Sequence, residues 1–590
     1  MKAPISWLQD FVKIDIPAEA LADKLVHAGF EVEEIIREAD AIKNVVTGRV
    51  LAMERHPNSD HLWICQINVK TATLQIVTGA QNVQVGDIVP VALDGAVLPD
   101  GKRIFNGELR GVKSLGMLCG GSELGLTDAD YEGADVDGIL ILKPDTKVGV
   151  DINEILGRTD VILDVSVTAN RPDCNSIWGI AREVGAVLQK TVKAPVTSYT
   201  ATPERIFNLL DVQVADADLC PRYMAKAVKN IKICESPKII KDRLRAVGIK
   251  PINNIVDITN YILIELGQPM HAFDYEKIAG HRIVVRRAEE GETITTLDNT
   301  THNLDNDVLV IADAEKPLAV AGIMGGLDSG ISDDTHTIIF ESAKFARDNV
   351  RRTSRKLNLK SDSSARFEKG IDFLSQAIAI DRALTLIQTN GWGTIISGTI
   401  DTNMNAVKPR TLTVQYKKIN NILGIKVPTE KMVEILNSLQ IKTVVKGKRL
   451  ECQIPAYRED IEGANDLAEE IIRLYGYNKI KSTLFADASK QTMGGRDAFR
   501  TKEDLLKRIL TAKGANEIIT YSFISPKTFD ILRLPKNDAL RNAIPILNPL
   551  GEDVSIMRTT LVGSMLSIIG SNFSKNNKDG IFFETSKVFA

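Results

Sequence analysis

Along the first 39 residues, Trp7, Leu8, Phe11 and Val12 lead into a stretch from Pro17 in which Leu21, Leu25 and Ala28 recur at helical spacing before Gly29. That periodicity predicts a small helix-bearing unit. From Asn44 to about Val150 the period shortens to two, as in Ile64–Val69 and Leu74–Val77, with turn clusters at His56-Pro57-Asn58-Ser59 and Asp94-Gly95. Short alternating runs between turns predict a small β-barrel. Asp164–Cys174 followed by Gly179–Val184 reads as a strand, a turn and a helix, and the proline-containing stretch Lys193–Pro203 reads as a linker. Helical spacing returns after Glu341, where Ala346, Val350, Thr353 and Leu357 share one face while Arg347, Arg351 and Arg355 share another, beside Arg352, Lys356 and Lys360. Further helices are expected from Pro428 to Leu439 and from about Asp466. In the second of these Asp466, Glu469, Glu470 and Arg473 share one arc, and Leu467, Ala468, Ile471, Ile472, Leu474 and Tyr475 fill the rest.

Composition narrows the picture. A chain of 590 residues exceeds what one hydrophobic core organises, so several domains are expected. Apolar residues at 44% and charged residues at 25% are ordinary for a globular protein, and no apolar run approaches a membrane span. The N-terminus passes straight into amphipathic sequence without a secretory core or cleavage site, which predicts a cytoplasmic protein. Six scattered cysteines without a CxxC pair read as reduced structural thiols. With 73 Lys+Arg against 76 Asp+Glu there is no global basic field, so any RNA contact must be local. The P-loop, HExxH, GxSxG and strand-linked GxGxxG patterns are all missing, and the enzyme classes they mark are not signalled.

Local chemistry leaves alternatives open. From Asn44 to Gly120 Trp63 and Phe105 are the only aromatics, so the barrel serves either RNA or protein contacts. The arginine stripe from Arg347 is either a phosphate-contacting surface or a solvated helix face. Asp466, Glu469 and Glu470, with Asp460 six residues before the first, can form an oxygen site for a hard cation such as magnesium. On spacing alone, acids early in an amphipathic helix are more simply explained by its dipole.

Several strings carry a resemblance. His56-Pro57-Asn58, Gly79-Ala80-Gln81-Asn82-Val83, Gly86-Asp87, Leu109–Cys119 and Glu123-Leu124-Gly125-Leu126 resemble, in order, the tRNA-binding OB-fold appended to several synthetases. Asn254–Tyr261, Gly267–Asp274, Ala321–Gly326, Phe340–Ala343 and Arg366–Gly370 resemble the editing module of the bacterial phenylalanyl-tRNA synthetase β-subunit family. Asp460–Tyr477 is similar to that family's magnesium-holding domain, and Glu517–Phe523 with Leu547–Leu550 to the opening of its catalytic-like module. The chain departs from the usual pattern at Ser361 and Ser363, where many relatives carry Thr and Ala, and at Thr585-Ser586, where Ile-Gly is usual.

The resemblance implies a multidomain α+β protein with an OB-fold barrel inserted in an N-terminal α/β domain. Its expected parts are 1–39 and 151–200 (the two halves of that domain, the second with the linker), 40–150 (the barrel) and 205–400 (an α+β editing module). They continue with 405–481, a small magnesium-bearing, winged-helix-like domain, and 490–590, a partial class II synthetase-like domain, in a C-terminally truncated subunit lacking the anticodon-binding domain. The implied function is that of the β subunit of the ligase joining phenylalanine to its tRNA. An α subunit would complete an α2β2 heterotetramer and hold the synthetic site that uses ATP. This chain would bind tRNA and hydrolyse mischarged tyrosyl-tRNA. Residue by residue, the family's editing pocket falls on Thr259, Asn260, His271, Ala321, Gly322 and Glu341, and its Mg2+ on Asp460, Asp466, Glu469 and Glu470. A lone His271 between Met270 and Ala272 is also read as a satisfied buried residue, and Glu341 as the cap of a helix starting near Ser342. Two rival functions stand beside this one: a non-catalytic tRNA-binding scaffold and a free-standing deacylase of mischarged tRNA.

Overall fold

The computed structural model describes residues 1–128, 130–402, 410–482 and 497–589. The expected boundaries at 405 and 490 and the final residue 590 lie outside them. Contacts divide the chain into two units, 1–481 and 482–590.

In the first unit, Lys2–Pro4, Val161–Ser166 and Glu31–Arg37 form a three-stranded sheet with the central strand antiparallel to both neighbours. The N-terminal domain is therefore α+β and not the expected α/β, because chain reversal between edge and centre leaves no parallel pair to be covered by crossover helices. Residues 38–160 are inserted between the second and third of these strands. There the 13-residue strand Lys43–Arg55 pairs with Ile88–Val97 on one side and Trp63–Asn68 on the other, and Thr73–Thr78 extends the sheet. The sheet curls until the 113–116 segment meets its far edge, with Leu115 N donating to Gln75 O at 2.8 Å and Val77 N to Ser114 Oγ at 3.1 Å. Val50, Cys65, Ile67, Ile76 and Val91 alternate inward and fill the barrel.

Next comes a five-strand run of sheet in the order Thr202–Arg205, Thr394–Ser397, Arg222–Lys229, Thr337–Lys344, Met270–Asp274. Period-two alternation gives this sheet two apolar faces. Met224, Val228, Ala272, Ile338 and Phe340 face the helices Asn254–Leu266 and Ser375–Thr389 and join the core that holds Trp7 and Ile177 of the N-terminal domain. Tyr223, Ala225, Phe273 and Ile339 instead meet a second sheet built from Asp211–Val214, Arg282–Arg287, Leu309–Ala312, Pro317–Val320 and Met324–Gly325. The unit ends with three antiparallel strands, Arg410–Gln415, Arg449–Ile454 and Lys442–Lys446, packed with the helices Tyr416–Leu423, Thr429–Ser438 and Ala464–Tyr475.

The second unit holds the helices Ala498–Ala512 and Val562–Ser574 and two short strand pairs, pinned by a buried Arg558–Glu584 ion pair at 3.2 Å. Among the described residues no helix is long and apolar enough to cross a membrane. All six cysteines are unpaired thiols.

Candidate active site

The helix Asn254–Leu266 starts where Asn253 Oδ1 accepts from the Ile255 and Val256 amides at 3.1 and 3.0 Å, satisfying donors that a helix N-terminus leaves free. It stops at Gly267, whose φ of 77° suits a residue without a side chain. Buried Gln268 then fixes the reversal into the strand Met270–Asp274: its Nε2 donates to Ala343 O at 3.0 Å and its Oε1 accepts from Gln376 Nε2 at 2.9 Å. Alternation sends Ala272 into the helical core and His271 to the other face.

His271 stands directly across from Glu341 on the adjoining strand Thr337–Lys344. Both line a cavity of about 100 Å3 whose walls include Gly322, Met324, Gly325, Phe345, Ser363 and Phe367. Burial sets the charge state here. No hydrogen bond from the described residues reaches the Glu341 carboxyl, and desolvation pushes it up to about 8, so it is a neutral acid at pH 7. Desolvation pushes His271 down to about 4, leaving a neutral imidazole whose Nε2 is buried and unpartnered. Its ring meets Phe273 edge-on at 4.5 Å. The cavity thus carries two uncharged polar groups with free hydrogen-bonding capacity against apolar walls.

Backbone close to the ring makes room for it. A Cβ on Gly325 would fall 2.5 Å from His271 Cε1, and one on Gly322, at φ 71°, would fall 2.8 Å from Phe345. Ser363 Oγ donates to Gly322 O at 3.2 Å and Ser361 Oγ to Ile323 O at 2.6 Å. Ser361 also forms a reciprocal capping box with Ser364 at the start of the helix Asp362–Phe367. Two of the positions that depart from the family pattern, Ser361 and Ser363, thus hold the glycine wall in place.

Of the residues expected around this pocket, His271, Gly322 and Glu341 line it. Ala321 is buried in the adjoining core. Thr259 and Asn260 are not lining residues: their helix packs on the opposite face of the sheet, and Thr259 Oγ1 donates back to Val256 O at 2.7 Å. Glu341 caps no helix, because Ser342 continues the strand and the next helix begins at Arg347. Ile311 and Phe345 are lining residues that sequence reasoning did not single out, whereas Gly325 and Ser363 lie in strings that carried the resemblance or departed from it.

The putative tRNA binding domain model matches residues 45–151, the B3/4 domain model 219–391, the tRNA synthetase B5 domain model 412–477, and the phenylalanyl tRNA synthetase beta chain CLM domain model 480–590. The phenylalanine–tRNA ligase beta subunit of Clostridium acetobutylicum is 46% identical over 591 residues, covering 100% of this chain and 74% of that protein. The chain belongs to the phenylalanine–tRNA ligase beta subunit family. The same-named protein of Clostridium tetani is 45% identical, again over 100% of this chain and 74% of its own length.

The four acids expected to hold magnesium are arranged otherwise than a cation cage requires. Glu470, on the helix Ala464–Tyr475, is buried and accepts from Arg458 Nη1 at 2.7 Å and from Arg473 Nη2 at 2.6 Å. Asp460 accepts from Arg458 Nε and Nη2 at 2.9 and 2.8 Å. Asp466 caps its own helix by accepting from the Glu462 and Gly463 amides, both at 2.8 Å, and Glu469 is exposed. Among the described residues no three of these acids bring ligand oxygens within 4.8 Å of one another. Burial alone would raise the Glu470 carboxyl, yet Arg473 and Arg458 hold it below the usual carboxylate range. Two positive guanidiniums already occupy the space and charge that a dication would claim, so the four residues as placed do not fit magnesium.

The arginines continue into the N-terminal domain. Arg473 Nη1 donates to Glu183 Oε2 at 2.7 Å, and Arg171 Nη2 donates to Glu183 Oε1 at 2.6 Å and to Asp173 Oδ2 at 2.9 Å. Asp173, Cys174 and Glu183 are the group among the described residues whose ligand atoms do cluster, and Arg171 fills that cluster. The chain of charges is buried throughout and ties the helix Ile177–Leu188 to the helix Ala464–Tyr475.

Proposed function

We propose that this chain serves as the β component of phenylalanine–tRNA ligase and hydrolyses tyrosyl-tRNA in the cavity between His271 and Glu341. The observation that carries the reading is a buried carboxyl without a protein partner, facing a cavity with apolar walls. A phenol entering there finds an acceptor in the Glu341 carbonyl oxygen; a phenyl ring leaves that group dry and unpaired. A site that bonds the hydroxyl discriminates by on the order of 10⁴, where one that merely fits the ring cannot. Neutral His271 orients the attacking water or the terminal ribose. Thr259, Asn260 and Ala321 support the surrounding backbone in this reading, behind the lining residues.

The remaining assignments follow the same family. The barrel, 40–150, takes tRNA; 1–39 and 151–200 frame it; 205–400 edits; 405–481, with its three helices and three strands, is winged-helix-like; 490–590 is the class II-like part that meets an α subunit in an α2β2 assembly. Phenylalanine and ATP react on that α subunit. Magnesium belongs to the assembled ligase, and Glu469, exposed at the surface, is the acid of the four most open to it.

Single-turnover deacylation of tyrosyl- and phenylalanyl-tRNA tests the reading. The wild-type chain is expected to hydrolyse the tyrosyl form preferentially, and Glu341→Ala to bind tRNA normally while treating the two substrates alike. Binding without hydrolysis would favour a scaffold; unchanged discrimination in the variant would remove Glu341 as the hydroxyl reader.

A further inference from the structure

The helix Arg347–Lys356 carries more positive charge than its own structure uses. Its inner face, Asn349, Val350, Thr353 and Ser354, is buried, and its outer flank presents cations four residues apart. Two of them are neutralised: Arg347 pairs with Glu459, and Lys356 with Asp305 and Asp307. Arg351, Arg352 and Arg355 are exposed, and among the described residues no carboxylate lies within ion-pair distance of them. The helix dipole accounts for basic residues in the last turn, Arg355 and Lys356, but not for Arg351 and Arg352 in the middle. Like charges at four-residue spacing destabilise a helix by a few tenths of a kcal/mol per pair. Asp348, three and four residues before Arg351 and Arg352, offsets part of this repulsion, but its carboxylate pairs with neither and Arg352 Nε reaches only its backbone oxygen at 3.3 Å, so the stripe keeps charge open to an external anion.

The position of the helix says which anion. The chain enters it directly from Phe345, a wall of the candidate cavity, and a Cβ on the wall residue Gly322 would lie 3.3 Å from Val350 Cγ2. The stripe thus runs outward from the cavity along the back of its own wall. Four residues of helix rise about 6 Å, so the free guanidiniums succeed one another on the scale of phosphates along a nucleic-acid strand. Arginine's fork suits phosphate oxygens, and such contacts position a strand without reading its sequence. We propose that Arg351, Arg352 and Arg355 form a phosphate track for the RNA whose 3′ end enters the cavity. The proposal rests on the editing reading for what lies at the end of the track, not for the track itself.

The experiment uses the full chain, phenylalanine tRNA charged with tyrosine, and two triple variants, R351Q/R352Q/R355Q and R351K/R352K/R355K. Affinity is measured as a function of monovalent salt. Each single-strand phosphate contact contributes about 0.7 to the slope of log affinity against log salt, so the glutamine variant is expected to lose about 2 from that slope. It should also bind roughly tenfold or more weakly at low salt. The lysine variant, which keeps the point charges, should retain most of the slope. Deacylation at saturating RNA should match the wild type in both, because none of the three residues lines the cavity. An unchanged slope and affinity in the glutamine variant would overturn the proposal and return the stripe to a solvated face or an acidic protein's contact. A lost slope in a chain that hydrolyses no tyrosyl-tRNA would sink the editing reading and leave the track standing.

Discussion

Glu341→Gln isolates the energetic cost of the buried carboxyl. Burial raises its folded-state value from 4.5 to about 8, so between those pH values the native chain holds a proton that the unfolded chain has released. Native stability therefore falls as pH rises, by roughly 1.4 kcal/mol per pH unit over that interval. The accumulated loss is about 3 kcal/mol at pH 7 and about 5 kcal/mol at pH 9, upper figures because the cavity-facing oxygens keep some solvent. Glutamine has the same shape and does not titrate. Its own buried amide adds a pH-independent offset, so the quantity to read is the change of the difference with pH. Hydrogen exchange of the strand Thr337–Lys344, corrected for intrinsic rates, reports this locally in a chain too large for two-state unfolding. The variant's protection should gain on wild type steadily from pH 5 to pH 8 and level off above. A difference that stays flat across that range would refute the assignment of a neutral carboxyl. The same titration should sharpen discrimination between tyrosyl- and phenylalanyl-tRNA above pH 8, where an ionised acceptor binds a phenol more strongly.

Glu183→Gln takes away one of the two carboxylates that Arg171 and Arg473 each hold, leaving them Asp173 and Glu470; a loss of about 1.5–3 kcal/mol is expected, read as a lower denaturation midpoint, and a near-neutral effect would mean the network is not a stabilising tie. Chelation with EDTA should leave the thermal midpoint of the isolated chain unchanged, since arginines already neutralise Asp460 and Glu470; a clear downward shift would show a cation that this arrangement does not accommodate. Gly325→Ala should slow tyrosyl-tRNA hydrolysis on the order of 10²-fold with tRNA affinity retained, because the added methyl collides with the His271 ring.

Features with a regular period were legible in the chain. The helix expected over Pro428–Leu439 is Thr429–Ser438, and the barrel strands fall within a residue or so of their alternating runs. The arc of acids from Asp466 was legible as geometry but not as environment. Glu470 and Arg473 turn inward because their partners come from elsewhere: Arg458 precedes the helix, and Glu183 is 290 residues away from Arg473. A wheel drawn on one helix contains neither. The cavity divides in the same way. His271 and Glu341 meet through strand register, whereas Ser363 reaches Gly322 across 41 residues that share no periodicity. Thr259 and Asn260 sit in a string with strong family character, yet the helix that carries them packs behind the sheet.

The barrel's place between adjacent antiparallel strands bears on entropy of closure. Arg37 pairs with Val161, so everything from 38 to 160 is a loop as far as that pairing is concerned, and closing a flexible loop of that length costs about 4 kcal/mol. The barrel fastens its own ends, with Thr47 N donating to Val150 O at 2.9 Å and Val150 N to Thr47 Oγ1 at 3.0 Å. Once that clasp is shut, only two short tethers remain free, and the cost drops below about 3 kcal/mol. Damage to the clasp around Thr47 would therefore be felt in the domain that surrounds the barrel, while changes on the barrel's outer surface would not.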